Sequence, residues 1–359
     1  MYPFLIFALG LICLALPSSN AVGIRDSGSG IRDRTTMPTQ SQPQSAPHVE
    51  RLDPALDRLI ASDAKIETLG GGYIWTEGPV WVKDGGYLLF SDIPNNIVHR
   101  WKQGEGVKPY LQPSGYTGKE PRGGETGSNG LLIDAQGRLV LCQHGDRRMA
   151  RMDAPLDKPK PQFTTLADRY EGKRLNSPND AVFRSNGDLY FTDPAYGMEK
   201  QWEDPKREIP FAGVYRRAAS GAVTLITKDM TRPNGLAFSP GEKQMYIAQS
   251  DETAALWRIF DVKADGTLAN GRVFLDVTAL VKAKKPGLPD GLKIDTEGNL
   301  FATGPGGVLI ISPAGKHLGT IVTGQATANV AFGDDGHTLY MTADDYLMRV
   351  KVKAKGLGF

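Results

Sequence analysis

The chain has 359 residues and a formal net charge of +2 at pH 7. A net charge this close to zero gives no electrostatic basis for binding nucleic acid or an anionic membrane surface. Hydrophobic residues make up 40% of the sequence, which is enough for a buried core. The 42 glycines and 24 prolines predict many turns, as β-rich folds require.

The N-terminal residues resemble a secretory signal. An apolar run extends over residues 4–16, and small residues follow at Ser19 and Ala21. Residues 1–21 are therefore predicted to be a signal peptide, which places the protein in the periplasm or outside the cell. The run is too short to predict a membrane-spanning helix, and no integral membrane domain is expected. Cys13 leaves lipidation open as an alternative to cleavage.

A linker is predicted after the signal. Residues 22–48 are rich in Ser, Gly, Pro, Gln and Arg and contain almost no apolar side chains, which is typical of disorder. Residues 22–63 are assigned to this linker and an N-terminal extension, with a short helix within 51–63. Loss of Cys13 with the signal would leave Cys142 alone, so no internal disulfide is expected, and the strand pattern "GRLVLCQ" predicts that this thiol is buried.

From residue 73 onward one unit recurs six times. Each unit has a polar turn, an apolar strand, a Gly-containing turn and further short strands, with internal hairpin signals such as "DAQGRL" and "SNGDL". An Asn, Asp or Glu stands before each first strand, and we call these six the marker residues: Glu77, Asn129, Asn179, Asn234, Asp290 and Asn329. Their separations are 52, 50, 55, 56 and 39 residues. Repeats of this length with several strands each predict a β-propeller.

The six units predict an all-β, six-bladed β-propeller. Its blades would be four-stranded and antiparallel around a central channel, and the domain would span residues 64–359. Propellers remove exposed sheet edges by joining both ends of the chain in one blade. Residues 64–70 are therefore predicted to pair with residues 346–353. The first strand of each blade would line the channel, with its marker residue near one mouth.

Two interpretations of the marker residues remain open. Each Asn or Asp could cap the turn that enters its strand, because these side chains hydrogen-bond locally. As a set, however, two carboxylates and several amide oxygens around a channel are typical of a hard-cation site. The five histidines show no zinc-type spacing. A divalent cation is therefore predicted, with calcium first and zinc, magnesium or manganese as alternatives.

The motifs "TEGPVW", "NSPND", "RPNGLAFSP" and "LPDGLKID" occur in this order at blade spacing. With them, most of residues 73–350 resembles the gluconolactonase, regucalcin and senescence marker protein family. The segments "GRLVLCQHGDRRMAR" and "DLYFTDPAYG" resemble its bacterial gluconolactonase branch. The resemblance implies that Glu77, Asn234 and Asp290 bind the metal and that Asn179 binds the metal or the substrate beside it. Ser177 stands where the mammalian branch has Arg, so sugar preference does not transfer.

The resemblance implies hydrolysis of a sugar lactone, a small-molecule substrate. A bound cation can polarise the lactone carbonyl and activate a water, and Asp290 is favoured as the base that accepts the water's proton. No G-x-S-x-G motif supports serine chemistry. Two alternatives remain: a metal-dependent esterase or organophosphatase on the same propeller, and a non-catalytic binding module with a structural metal.

Further residues are predicted to contact the substrate: Asn129, His144, Asn179, Tyr196 and Asn329. His144, in "CQHGDRR", either reaches the pocket or packs between blades. Tyr196 precedes a long polar insertion at 197–213, and residues 113–127 form a second long loop. Long loops in compact domains often cover sites, so either could border the pocket. The natural lactone and the oligomeric state are not encoded in these patterns.

Overall fold

The computed structural model describes residues 46–359. The predicted signal peptide at 1–21 and most of the predicted linker lie outside the described residues. Within the described range the regular secondary structure is almost entirely β-strand. The exceptions are the five-residue α-helix α1 (Thr278–Lys282) and two 3-10 helices, Pro54–Arg58 and Gln201–Glu203. No helix of residues 46–359 combines the length and the apolar character needed to cross a membrane.

Six antiparallel four-stranded sheets succeed one another along the chain and confirm the six-bladed β-propeller. Two N-terminal strands, β1 (His48–Arg51) and β2 (Ile66–Gly71), join the last two blades. The strands of the first two blades are β3 (Thr76–Val82), β4 (Tyr87–Asp92), β5 (Ile97–Lys102) and β6 (Gly106–Leu111), then β7 (Ser128–Ile133), β8 (Leu139–Gln143), β9 (Arg148–Met152) and β10 (Phe163–Ala167).

A small hairpin follows blade 2, formed by β11 (Arg169–Tyr170) and β12 (Lys173–Arg174). The strands of blades 3 and 4 are β13 (Ala181–Phe183), β14 (Leu189–Asp193), β15 (Gly213–Arg217) and β16 (Val223–Thr227), then β17 (Pro233–Phe238), β18 (Gln244–Asp251), β19 (Ala254–Val262) and β20 (Leu268–Asp276). The strands of blades 5 and 6 are β21 (Leu292–Ile294), β22 (Leu300–Gly304), β23 (Gly307–Ile311) and β24 (His317–Val322), then β25 (Thr327–Gly333), β26 (Thr338–Ala343) and β27 (Tyr346–Lys351).

The ring closes in blade 6. Strand β2 pairs antiparallel with β27, with Ile66 opposite Val350 and Gly71 opposite Tyr346. This pairing confirms the predicted union of residues 64–70 with residues 346–353. The first strand of each blade contacts the first strand of the next, and β25 contacts β3, so these six strands surround the channel.

The N-terminal extension adds a fifth strand to blade 5. Strand β1 pairs with β24, with His48 opposite Val322. The following 3-10 helix is capped by Asp53, whose Oδ1 accepts a hydrogen bond from the Ala55 amide at 2.8 Å. The side chain of Leu56 is fully buried among residues of blades 5 and 6. Residues 48–60 therefore pack onto the propeller.

The stability of the ring comes from apolar packing between neighbouring blades. Every residue of β4, β8 and β23 is buried, because sheets that stack face to face cover both sides of a central strand. Among the described residues, six apolar clusters lie at the six blade interfaces. Cys142 is a free, fully buried thiol in the cluster between blades 2 and 3, and burial raises its pKa.

Candidate metal centre and substrate pocket

The six marker residues lie at the entrances of the six inner strands. Four belong to these strands, and Asn179 and Asp290 each precede theirs by two residues. Five of the six side chains are no more than 4% exposed; Asp290 is partly exposed. Because the inner strands surround the channel and each enters it at its marker, the structure brings all six residues together at one mouth.

Glycine follows four of the markers because neighbouring blades approach each other closely there. A Cβ atom on Gly78, where φ is +53°, would lie 2.1 Å from the carbonyl oxygen of Asn129. A Cβ on Gly291 would lie 2.0 Å from the amide of Asn329. These positions therefore exclude any side chain. The repeated Asn-Gly and Asp-Gly signal marks the line along which the blades meet.

Two blades lack this glycine: blade 6 has Val330 at the position, and blade 3 has Asp180. Its Oδ1 accepts a hydrogen bond from the Ala181 amide at 2.8 Å, and its Oδ2 accepts one from Nδ2 of Asn329 at 3.3 Å. Asp180 is 4% exposed. The sequence prediction of the site did not include this third channel carboxylate. The signal that could have identified it is the exchange of Gly for Asp in "SPND".

Four oxygen atoms at this mouth lack a hydrogen-bond partner among the described residues. They belong to the side chains of Asn129, Asn179, Asn234 and Asp290, in each case Oδ1. The amide of Asn234 is held in place, because its Nδ2 donates to Oγ of Ser250 at 2.9 Å. Buried acceptors are normally satisfied, so a group of unsatisfied ones is typical of a site that a ligand completes.

The electrostatics of the mouth favour a cation. Burial raises the pKa of Glu77 to about 8, with a further contribution from the charge of Asp180, although the Gly78 amide donates to its Oε2 at 2.8 Å. Burial also raises the pKa of Asp290 well above its usual range, and the charge of Glu77 adds to the effect. Carboxylates that repel one another in a buried space ionise readily only when a positive charge joins them.

The available donors suit a hard cation. Within residues 46–359, no three His, Cys, Asp or Glu side chains are grouped so that they could hold a metal ion by themselves. A site here must therefore include amide oxygens such as those of Asn179 and Asn234. Calcium accepts this mixture of carboxylate and amide oxygens, whereas structural zinc favours sulfur and nitrogen. The residues present thus fit the predicted oxygen-donor site.

His144 lies directly after β8 and is fully buried. Its Nδ1 is 2.8 Å from Oε2 of Glu125, which belongs to the 113–127 loop. The sequence prediction included His144 but not Glu125, because a carboxylate within a long irregular loop carries no periodic signal. The charge of Glu125 contributes to the raised pKa of Asp290, which places this loop beside the mouth.

Tyr196 lies in the second long loop, between β14 and β15. Burial raises the pKa of its hydroxyl, and the charge of Asp290 contributes. Its ring packs edge-on against Trp202, with 5.6 Å between ring centroids. The structure thus places both long loops at the mouth that carries the marker residues.

Two polar side chains near the mouth, those of Asn329 and Ser177, form hydrogen bonds with other residues of the protein. Asn329 accepts from the Val330 amide at 2.9 Å in addition to donating to Asp180. Ser177 donates to the Pro194 carbonyl at 2.6 Å and accepts from the Gly197 amide at 3.0 Å. Ser177 therefore braces the second long loop. The assignment of Asn329 to substrate binding stays a prediction.

Comparison with known proteins identifies the family. The sequence profile described as "SMP-30/Gluconolactonase/LRE-like region" matches residues 75–345. The gluconolactonase of Zymomonas mobilis is 38% identical over 319 residues, which covers 86% of this chain and 87% of that protein. A gluconolactonase structure from Xanthomonas campestris matches with a TM-score of 0.72 and 31% identity, over 86% of this chain and 95% of that one.

A more distant structure shares the fold. The calcium-binding regucalcin of Agrobacterium tumefaciens is 19% identical and matches with a TM-score of 0.64, over 82% of this chain and 95% of that one. The family profile spans all six marker residues and both long loops. The chain therefore belongs to the SMP-30/gluconolactonase/LRE-like family.

Proposed function

We propose that this protein hydrolyses a sugar lactone of the gluconolactone type to its aldonic acid, with the help of a divalent cation in the channel. The observation that carries the proposal is the set of four unsatisfied side-chain oxygens, one of them from Asp290, at the mouth that also holds the buried carboxylate of Glu77. The extensive identity to the Z. mobilis gluconolactonase supports the same reaction.

Glu77, Asn179, Asn234 and Asp290 would hold the cation. They come from blades 1, 3, 4 and 5 and offer only oxygen. We propose calcium as the ion, because its flexible coordination tolerates carboxylate and amide ligands together. The calcium-binding regucalcin, which shares the fold, supports this choice. Magnesium, manganese and zinc are the competing ions in the test below.

When bound, the cation would polarise the lactone carbonyl and stabilise the negative charge that develops on its oxygen. Asp290 contributes the base. Its Oδ1 has no partner among the described residues and can accept a proton from the attacking water. The water oxygen bonds to the carbonyl carbon, the ring C–O bond breaks, and the ring oxygen takes up a proton to become the free hydroxyl of the aldonic acid.

Tyr196 and Asn129 are proposed to orient the sugar. The Tyr196 hydroxyl is protonated at neutral pH, as any tyrosine is, and burial raises its pKa further, so this group can donate a hydrogen bond to a substrate oxygen. The Oδ1 of Asn129 is an unsatisfied acceptor at the same mouth and suits a sugar hydroxyl. Both groups are fixed by burial, which favours a defined substrate orientation.

The test is a hydrolysis panel on chelated protein. Glucono-δ-lactone, an aryl ester and an organophosphate are each offered after separate addition of calcium, magnesium, manganese or zinc. We expect lactone hydrolysis that depends on the added cation and is greatest with calcium. Preferred turnover of the aryl ester or organophosphate would replace the lactone assignment. Cation binding without turnover of any substrate would indicate a binding module.

We also propose that the protein acts in the periplasm or outside the cell. The support is the sequence of residues 1–21, with its apolar run and terminal small residues. Fractionation of cells that express the full chain, followed by N-terminal sequencing, tests this assignment. A mature N-terminus at Val22 in the periplasmic or culture fraction is expected. An uncleaved chain confined to the cytoplasm would contradict it.

A further inference from the structure

A buried histidine and a loop carboxylate form a pair on the blade 2 side of the mouth. His144 is 0% exposed, and its Nδ1 lies 2.8 Å from Oε2 of Glu125. The pair is close but not aligned as a hydrogen bond, because neither ring nitrogen has a partner with hydrogen-bond geometry among the described residues. Contacts of this kind in unliganded sites often tighten when substrate binds.

The two ring nitrogens of His144 have different surroundings. Nδ1 faces a carboxylate, which can only accept a hydrogen bond and so favours the tautomer with its proton on Nδ1. Nε2 would then carry a lone pair, and it too is buried without a partner. A donor that arrives with a ligand can satisfy a buried acceptor of this kind.

The position of the pair relative to Asp290 indicates its role. A Cβ on Gly197 would lie 2.5 Å from Cβ of His144 and 2.8 Å from Cβ of Ser177, so the second long loop packs closely against both His144 and the entrance to blade 3. Asp290 belongs to blade 5. The pair therefore lies on the side of the ring opposite the proposed base, and the charge of Glu125 is near enough to contribute to the raised pKa of Asp290.

Arg122 ties the Glu125 loop to this region. Its guanidinium donates to the carbonyl oxygens of Gly145, directly after His144, and of Gly197 in the second loop. The Arg122 side chain thus links the loop that carries Glu125 to the turn after His144 and to the second long loop. The Glu125 carboxylate is 13% exposed. The positions of His144 and Glu125 are therefore fixed by burial and by the Arg122 hydrogen bonds, as residues that discriminate between substrates must be.

We propose that Glu125 is a positioning residue that holds His144 with its proton on Nδ1, so that Nε2 accepts a hydrogen bond from a ring hydroxyl of the sugar lactone. The pair would then select hydroxylated lactones over unsubstituted ones. This inference rests on the proposed lactone hydrolysis for its substrate, but the orientation of the imidazole can be measured independently.

The first measurement is the tautomer of His144, read from nitrogen-15 shifts and long-range proton couplings in labelled protein, with His144→Gln used to assign the signal. The wild type is expected to show the proton on Nδ1. In Glu125→Ala the signal should move towards the Nε2-protonated form or a mixture. A wild-type imidazole with its proton on Nε2 would overturn the proposal, whatever the enzyme's activity.

The second measurement compares glucono-δ-lactone with δ-valerolactone, which has the same ring without hydroxyls. Glu125→Ala and His144→Gln should each lower kcat/KM for glucono-δ-lactone about tenfold, mainly through KM, as loss of one hydrogen bond predicts. Their kcat/KM for δ-valerolactone should stay within about twofold of wild type. Equal losses on both lactones, or no loss on either, would overturn the selective role.

Glu199→Gln is the matched control. Glu199 accepts a hydrogen bond from the Gly123 amide at 2.8 Å, so it joins the same two loops, and within residues 46–359 it has no hydrogen bond or ion pair to His144. This variant should leave both the tautomer and the ratio between the two lactones unchanged. If the wild type hydrolyses neither lactone, the proposed function fails, whereas the tautomer measurement still decides whether Glu125 positions the imidazole.

Discussion

Asn329 in blade 6 donates a hydrogen bond to Asp180 in blade 3, and the 3.3 Å contact between Nδ2 and Oδ2 links two blades that are three apart in a ring of six. The bond spans the channel from opposite sides. Asp180 also contributes to the raised pKa values of Glu77 and Asp290. The proposed cation site therefore has an additional carboxylate that is held by a cross-channel contact.

Replacement of Asp180 by Asn should weaken cation binding without unfolding the protein. The substitution keeps the shape and an acceptor for Asn329 but removes one negative charge. We expect roughly tenfold weaker calcium affinity. The attraction between the Asp180 carboxylate and a cation several ångströms away is worth about 1–2 kcal/mol at the effective dielectric constant of a protein, and about 1.4 kcal/mol corresponds to a factor of ten. Calorimetric titration of chelated protein measures it. Asp153→Asn, at a carboxylate of blade 2 that is 42% exposed, is the control, and equal affinities in all three proteins would contradict the prediction.

The raised pKa of Glu77 predicts a pH dependence of stability in chelated protein. An unfolded Glu loses its proton near 4.5, whereas Glu77 in the folded protein loses it near 8. Between these values the folded state holds more protons than the unfolded state, so the free energy of unfolding should fall as pH rises. Urea unfolding at intervals from pH 5 to 8.5 measures this trend, and Glu77→Gln should make it shallower.

Calcium should reverse this trend, since its ligands must be deprotonated to bind it. Added calcium is expected to raise the free energy of unfolding more at pH 8 than at pH 5. The same urea series with saturating calcium provides the comparison. A chelated protein that becomes more stable from pH 5 to pH 8, with no difference in Glu77→Gln, would show that Glu77 is not the titrating group.

The fold was predictable because one local signal is repeated. The marker residues and the turns after them recur at blade spacing, and the need to close a ring indicated the pairing of β2 with β27. Strand β1 was not predicted as a strand. It is four residues long and pairs only with an edge that exists once blade 5 has formed, so its sequence carries little β-signal of its own.

The site was less predictable than the fold, for two physical reasons. Asp180 occupies a position where four of the other blades have glycine, so a pattern that treats Gly and Asp as equivalent turn residues conceals its charge. Glu125 reaches His144 only because a long loop is tied across the mouth by Arg122. Loop positions of this kind depend on tertiary hydrogen bonds, and these have no periodic sequence pattern.

Replacement of Asp290 by Asn should separate catalysis from metal binding. The amide keeps an oxygen ligand of similar shape but cannot accept the water's proton. Lactone turnover should fall by about 10²–10⁴, the usual contribution of a general base. The assay must contain saturating cation, because weaker metal binding would also lower activity. Near-normal turnover with metal bound would assign Asp290 a ligand role alone.

Gly78→Ala should be much more destabilising than a glycine replacement in a similar backbone conformation elsewhere. Gly78 has φ of +53°, and an added Cβ would lie 2.1 Å from the Asn129 carbonyl oxygen of the neighbouring blade. The added Cβ would clash with a backbone atom, which cannot rotate away as a side-chain atom can. We expect a loss of roughly 3 kcal/mol or more in the free energy of unfolding, together with weaker cation binding because Glu77 is displaced.

Gly137→Ala is the matched control for this change. Gly137 lies in the turn between β7 and β8 with φ of +75°, and an added Cβ would have no atom within 4 Å. Its replacement should cost only the conformational penalty of about 1 kcal/mol and leave cation affinity unchanged. Urea unfolding and calcium titration of both variants give the comparison. Equal costs would show that the inner strands can move apart at little expense, and the glycines after the markers would then reflect turn geometry alone.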